Sequence, residues 1–469
     1  MSREDDITDP KHWEIASTKK MLSYSFGFIL TLYLLLAYNS FIFYFYEVEV
    51  GLKVELVSMA VILYTVWILA IGPIIGYLTD RSFKWSKRWG FRAPWIIGAA
   101  IPALICYLLI FTPPNIDAKS NPWPVFWYLL IISCLYGTFL TIYRQNLQGG
   151  FPNQFREDYE RRRAGALVFI FPGIILFFMS ILPLFIIVYG DKTSFFVTAL
   201  ISVIILAICL IILIPGISES EDLKARYFQG YENEDLIPFV KMIKLTFKQK
   251  NFRLTIITFT LTNISTALVT ASSIYFFKDI LGLPLYYSVF PSIVYFVTLM
   301  VFVPFWVSFS RKHGNKKTYT LGLFLLTLSH LPYLWITTLW EVIIFSLLRG
   351  IASSCTIFAV IPIGADTYDE VTLACGRHQE ATLHGVRNLF VRSSLLFAAL
   401  LIGGIHFITG YNQDPNAIQT PLAMWGIRVH RGLIPMILCF TACVIFLLFY
   451  DLTSEKKFAM KAKLREMGL

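Results

Sequence analysis

Twelve apolar runs of 20–28 residues, separated by polar punctuation, dominate this chain. They lie at 22–46, 54–79, 94–113, 124–150, 165–188, 193–215, 252–277, 285–309, 318–337, 341–364, 381–408 and 430–450. A helix needs about 20 residues to cross ~30 Å of hydrocarbon. Inside a bilayer only helices and closed barrels satisfy every backbone polar group. Runs of this length, repeated this often, therefore predict an all-α integral membrane protein with twelve transmembrane helices. A mean hydropathy of +0.64 and a charged content of 15% agree with that reading.

Charge sets the topology. The loops after the second, fourth and eighth runs, DRSFKWSKRWGFR, REDYERRR and RKHGNKK, are basic, as is the tail SEKKFAMKAKLRE. The intervening loops, such as TPPNIDAKSNPWP and YGDKTS, are short or poor in Lys and Arg. By the positive-inside rule both termini are cytoplasmic and the protein resides in the cell membrane. The same rule accounts for the net charge of +10 without a nucleic-acid partner. The seven cysteines form no CxxC pair and six of them lie within apolar runs, so packed free thiols are expected rather than disulfides or a metal site. The opening stretch MSREDDITDPKHWEIASTKK has no apolar core or cleavage signal, so no signal peptide is expected.

The longest polar stretch between runs, residues 216–250, divides six helices from six. The expected organisation is a cytoplasmic segment 1–21, bundles at 22–215 and 251–450 joined by a cytoplasmic loop 216–250, and a cytoplasmic tail 451–469. The halves echo each other weakly: Pro73 precedes Asp80-Arg81 by seven residues, and Pro304 precedes Arg311-Lys312 by seven. Two related bundles around a midplane site is a transporter architecture.

Four words come in order along the chain: SYSFGF…FYFYEVEVGL, GPIIGYLTDRSFKWSKRWGFRAPWIIGA, FPNQFREDYERRR and GADTYDEVTLACGRHQEA. Over nearly all of residues 22–450 the sequence resembles the glycoside–pentoside–hexuronide:cation symporters, the melibiose-carrier branch of the major facilitator superfamily. The resemblance implies the major facilitator fold, alternating access, and acid–base pairs that gate the cytoplasmic side. Asp80, Arg81, Arg92, Glu160, Arg161, Asp366 and Arg377 are the gate candidates, with ordinary topogenic charge as the alternative. Registered on Pro73, the cation-ligand positions of the family fall on Ile68, Ile71 and Gly72, which carry no side-chain oxygen for a hard cation. The family's sugar-binding acids fall on Leu32 and Arg144, its stacking aromatic on Gln148, its arginine on Phe169 and its lysine on Arg392. The frame resembles a sugar symporter, while its cation and sugar sites do not carry over.

Cations stand inside the runs where acids do not: Arg144, Arg349, Arg387 and Arg392, whereas Glu47, Glu55, Asp80, Glu341, Asp366 and Glu380 sit at run ends. An ionisable group within the bilayer costs at least ~2.5–3.5 kcal/mol and is a functional candidate by default. Thr141, Arg144, Gln145 and Gln148 share one face of the fourth helix; Ser346, Arg349, Ser353 and Thr356 share one of the tenth; His384, Asn388 and Arg392 line the eleventh. Asn39 joins them from the first. For Arg144 the alternative is snorkelling to the inner headgroups. Extending its helix to Pro152 leaves it roughly 12 Å from the end, which favours a cavity. The threonines of the seventh run, Thr258, Thr262, Thr266 and Thr270, are expected to pack and bond back to their own helix. The GPIIG word is expected to pack closely, and His330 and His406 are expected to be structural or interfacial.

Arginine without an intramembrane carboxylate calls for an anion, since its planar fork suits carboxylate or phosphate. The sequence thus predicts a secondary transporter of a small hydrophilic solute, a sugar, glycoside, acidic sugar or organic anion. The substrate-binding candidates are Asn39, Thr141, Arg144, Gln148, Arg349, Asn388 and Arg392, with His384 as a possible proton-coupling group. A lysolipid or amphiphile transporter of the same fold is the alternative, with a non-transporting sensor behind it. The absence of HExxH, GxSxG and P-loop words argues against an enzyme, and no cofactor or metal is expected. The expected partners are the solute and the bilayer.

Overall fold

The computed structural model describes residues 16–79, 90–155, 158–219, 247–375 and 380–452, with 456, 457, 459, 460 and 463 in the tail. All regular structure among these residues is helical. The first six helices are α1 (Thr18–Tyr44), α2 (Val54–Thr79), α3 (Ala93–Ile110), α4 (Pro122–Gln154), α5 (Asp158–Ile186) and α6 (Lys192–Ile217). The second six are α7 (Lys250–Ala271), α8 (Val289–His313), α9 (Asn315–His330), α10 (Leu339–Cys375), α11 and α12. Helix α11 has two arms, Glu380–Arg392 and Ser394–Thr409; α12 runs Pro421–Arg428 and Ile434–Phe449 around a π turn, Val429–Leu433.

Among the described residues, eleven helices are long and apolar enough to cross a bilayer. The twelfth expected span, α9, ends after 16 residues and continues as a 3-10 turn, Leu331–Leu334. Pro332 explains the stop, because it lacks the amide hydrogen that would carry the i to i−4 ladder on, while Leu331 before it keeps α dihedrals. Large apolar side chains cover the outer surface, Phe178 at 66% exposure and Trp340 at 74% among them. Such a surface suits hydrocarbon and not water.

Within the first bundle α1 packs on α5 and α6, and α4 on α2 and α3; within the second, α10 packs on α8 and α9, and α12 on α7 and α9. The bundles meet through α1 with α7, α2 with α11, and α5 with α8. Small residues permit the close approaches. A Cβ on Gly216 of α6 would lie 2.4 Å from the Tyr24 backbone nitrogen of α1, and one on Gly403 of α11 would lie 1.9 Å from the Ser58 hydroxyl of α2. Buried tyrosines add hydrogen bonds between helices. Tyr136 donates to the Leu34 carbonyl and Tyr143 to that of Gly27, each at 2.8 Å.

We call the face where α1 begins and α12 ends the terminal face. There Asn251 and Asp451 clamp the start of α7 to the end of α12, the amide donating to the carboxylate at 2.8 Å and the Asp451 amide donating back at 3.0 Å. That hydrogen bond from Asn251 holds the Asp451 carboxyl below its ordinary range. At the opposite, far face the two bundles repeat one device. Tyr44-Phe45-Tyr46 in α1 and Tyr275-Phe276-Phe277 after α7 each enter a π turn, Phe45–Glu49 and Phe276–Ile280, closed by Val50 N to Phe45 O and Leu281 N to Phe276 O. Each ends on a glycine of positive φ, Gly51 at 80° and Gly282 at 62°, followed by leucine. The paired Tyr44 and Tyr275 rings meet edge to face at 5.4 Å. This repeat is much closer than the proline–charge echo.

Candidate functional site

Four of the described arginines of the helix interiors fall into two groups, while Arg387 of α11 lies apart, over the rings of Phe259 at 5.9 Å and Tyr368 at 5.8 Å. Arg144 of α4 and Arg392 of α11 come from opposite bundles and lie within electrostatic reach of each other, and neither has an acidic partner among the described residues. The Nε of Arg144 is buried without a hydrogen-bond partner. Helix α4 reaches Gln154, so Arg144 sits about 15 Å from its end at ~1.5 Å per residue. Beside the pair, Tyr64 of α2 interacts with Arg392 and packs against Tyr38 at 4.9 Å between ring centroids. Gln145 donates to the Gly72 carbonyl at 3.1 Å, fastening α4 to the GPIIG stretch of α2. Two guanidiniums facing across a bundle interface repel each other. An anion between them would satisfy both and draw the bundles together.

The second group lines a cavity of about 630 Å³ between the bundles, in the far half of the molecule. Its walls are Leu36, Phe41, Phe177 and Phe296, with Arg349 and Arg431 on its polar side. The Arg349 guanidinium lies over the Tyr295 ring at 5.0 Å. Arg431 lies over Tyr333 at 4.7 Å and donates to the Val269 carbonyl. The stacked rings of Phe177 (α5) and Phe296 (α8), 4.1 Å apart, stand where the two bundles meet. This chamber, apolar with a cationic end, has the character of an amphiphile site.

Of the other substrate candidates, Thr141 is buried beside Arg144, and Gln148 is exposed farther along α4. Asn39 is half-buried on α1, next to the cavity-lining Ser40. The side chains of Asn388 and His384 lie outside the described residues. The same holds for Asp80, Arg81, Glu160, Arg161 and Arg377 of the gate set. Among the described partners of the remaining two, Arg92 donates to Asn146 Oδ1 at 3.0 Å, while Asp366 accepts from Lys457 and, at 3.4 Å, from Asn315. Those contacts stay within one bundle or its tail. The α7 threonines bond back as expected, Thr262 to Thr258 O at 3.1 Å and Thr266 to Thr262 O at 2.9 Å.

One expectation needs correction. The spacing puts Glu47 at a run end, with no acid well inside the run, yet its carboxylate is fully buried and bonded to His406 Nδ1 at 2.8 Å. The π turn extends α1 through Glu49 and brings the carboxylate inside. His406, expected to be structural or interfacial, holds that carboxylate across the bundle interface. Run boundaries also hide Arg431, the second residue of its run, and Lys278, just past another. The repeated Tyr-Phe-aromatic stretch ending in Gly-Leu is the signal that marks this region.

Against known proteins, the family model described as MFS/sugar transport protein matches residues 23–454. The raffinose carrier protein of Pediococcus pentosaceus is 22% identical over 439 residues, covering 88% of this chain and 64% of the relative. The sodium-dependent lysophosphatidylcholine symporter 1-A of Danio rerio is 35% identical over 77 residues, covering 16% of this chain and 13% of that one. The glucuronide carrier protein homolog of Escherichia coli K12 is 25% identical over 196 residues, covering 41% and 42%. The matches thus span less than two thirds of the length of these curated relatives. Among solved structures, the nucleoside transporter NupG superposes with a TM-score of 0.58 at 13% identity, covering 95% of this chain and 99% of that one. A proton dependent oligopeptide transporter gives 0.59 at 13%, covering 96% and all.

Proposed function

This chain belongs to the MFS/sugar transport protein family, and from that premise we propose that it is a secondary transporter moving a small organic anion by alternating access. The observation that carries the anion is the facing pair Arg144 and Arg392, one from each bundle, without an acidic partner among the described residues. A carboxylate or phosphate held between them accepts charge-assisted hydrogen bonds from both bundles at once. Closure around the loaded site is then favoured over closure around the empty, self-repelling one, and that differential drives the conformational change. The tyrosines beside Arg392 give a bound ring an aromatic wall, which suits a glycoside bearing an acid group. Relatives named as a raffinose carrier and as a homolog of a glucuronide carrier bracket the choice between neutral and acidic sugars. The basic loops support cytoplasmic termini in the cell membrane, with the far face outside. Ile68, Ile71 and Gly72 support transport without a sodium site on α2.

A second reading is favoured by the apolar cavity. Its cationic end and the partial match to lysophosphatidylcholine symporters fit a single-chain amphiphile, its headgroup on Arg349 and Arg431 and its tail toward Phe177 and Phe296. A thermal-shift screen of the purified protein against raffinose, a phenyl glucuronide and lysophosphatidylcholine separates the readings. Stabilisation by the glucuronide alone supports the anion reading, by lysophosphatidylcholine alone the amphiphile reading, and by raffinose alone neither.

A further inference from the structure

At the far face a chain of buried polar groups crosses between the bundles. Glu47, from the π turn of α1, accepts from Tyr275 at 2.6 Å and contacts His406 Nδ1 at 2.8 and 3.1 Å. His406 Nε2 lies 3.2 Å from His430 Nε2, and His430 Nδ1 lies 2.6 Å from the Ser272 hydroxyl. Ser272 also reaches the Leu268 carbonyl at 2.5 Å. Glu47 and His430 show no exposure and His406 only 2%. Three π turns, in α1, after α7 and in α12, converge here, and π turns inside helices are frequent at functional sites.

The hydrogen bonds close for two different proton counts. With the Ser272 hydrogen turned to His430, an ionised Glu47 and two neutral imidazoles form one directed chain. His430 then donates to His406, and His406 donates to the carboxylate. With the Ser272 hydrogen turned to Leu268, His430 Nδ1 donates to the hydroxyl oxygen, and the chain closes only when it holds one more proton. That proton pairs an imidazolium with Glu47, or sits on Glu47 itself. Rotation of one hydroxyl thus accommodates the site full or empty, without leaving a buried polar atom unpaired.

Charge favours the full state. Glu49 accepts from the Gly190 amide at 3.0 Å, and Asp279 accepts from Tyr411 at 2.8 Å and pairs with Lys278 at 3.3 Å. Burial lifts the Asp279 carboxyl above its ordinary range, against the pull of Lys278. Arg431 opposes a positive charge on His430 from the same turn of α12, so the added proton belongs nearer Glu47; Tyr411 stacks on His406 at 4.4 Å, and Tyr44 packs on Tyr275. Ser58 of α2 approaches the α11 arm, and Lys53, just before α2, and Glu55 are exposed; Asp191, before α6, is exposed as well. The buried set holds three carboxylates against two cations, and one proton brings it to neutrality.

We propose that Glu47, His406 and His430 form a proton-binding site that exists only while the bundles meet at the far face, so that closing this face takes up one proton. Glu47 belongs to the first bundle and Tyr275, His406 and His430 to the second, so parting the bundles divides the site and returns its groups to water. A proton is then the ion linked to the transport cycle, a deepening that rests on the alternating-access reading above.

The test places spin labels at Ser120→Cys and Asn416→Cys, exposed positions in the far-face loops of the two bundles, in full-length protein in nanodiscs. Distances are measured by double electron–electron resonance from about pH 5.5 to about pH 8.5, on either side of the ~6.5 of a free imidazole. The proposal predicts one short distance at the acid end and a growing longer population toward the basic end. The ratio changes at most tenfold per pH unit, the slope of one proton. Glu47→Gln and His406→Gln each abolish the pH dependence, and His430→Asn serves where one of them fails to fold. A wild-type ratio indifferent to pH overturns the proposal, as does a dependence that survives in these variants. If the distances respond to added phenyl glucuronide but not to pH, only the proton site falls. If one distance persists under every condition, alternating access falls with it.

Discussion

Replacing Arg144 with glutamine should weaken binding of an anionic substrate while making the empty protein more stable. In the unliganded protein Arg144 faces Arg392 without an acidic partner among the described residues, and its Nε is buried and unbonded. Two unit charges several ångströms apart at an effective dielectric near ~20 repel by on the order of 2 kcal/mol. Glutamine removes that repulsion and keeps hydrogen-bonding capacity, so the thermal midpoint of the empty protein should rise by a few degrees. The loaded site loses a charge-assisted bond worth about 1.5–3 kcal/mol. That loss corresponds to roughly 10- to 150-fold weaker binding. Arg144→Lys keeps the charge without the fork and should fall between. The assay is paired differential scanning fluorimetry and calorimetry of wild type and variants with a phenyl glucuronide. Opposite signs for stability and affinity separate a binding role from damage to the fold. Wild-type affinity in Arg144→Gln, or a lowered midpoint with unchanged affinity, refutes the reasoning and restores snorkelling.

Further outcomes follow from the packing and the site. Gly216→Ala forces a Cβ against the Tyr24 backbone nitrogen, and overpacking of this kind typically costs ~1–3 kcal/mol; the thermal midpoint should drop sharply, and an unchanged one would show that α1 and α6 adjust freely. Thr262→Val in α7 removes a hydroxyl bonded to its own helix and should change stability by no more than about 0.5 kcal/mol, measured as a thermal midpoint. Replacing sodium with choline on both sides of proteoliposomes should leave uptake unchanged, because Ile68, Ile71 and Gly72 offer no side-chain oxygen as a ligand; strict sodium dependence would place a cation site elsewhere.

The fold was legible because hydrocarbon imposes one strong rule. Every spanning segment must be apolar and about 20 residues long, so the existence and order of the spans could be read from hydropathy, and eleven helices among the described residues reach that length. At α9 the run holds a 16-residue helix that passes into a 3-10 turn at Pro332, a local change that hydropathy averages over. The site was legible only where polarity interrupts a run. Arg144, Arg349 and Arg392 stood out for that reason, but their sorting into an α4–α11 pair and a separate cavity depends on bundle docking, which leaves no local period. Glu47 and His406 lie 359 residues apart and each sits near a run end, so neither alone departs from an ordinary boundary residue. The π turns that draw Glu47 inside, and Arg431 with it, add a residue to a helix turn that periodicity treats as regular.

The central claim, that charge on the substrate is what the paired arginines recognise, is tested most directly by uptake into proteoliposomes of labelled phenyl glucuronide and labelled raffinose under identical sodium-free conditions. The account predicts that wild-type protein accumulates the glucuronide and not raffinose, and that Arg392→Gln abolishes this uptake. Raffinose entering as fast as or faster than the glucuronide, or glucuronide uptake indifferent to Arg392→Gln, would contradict it.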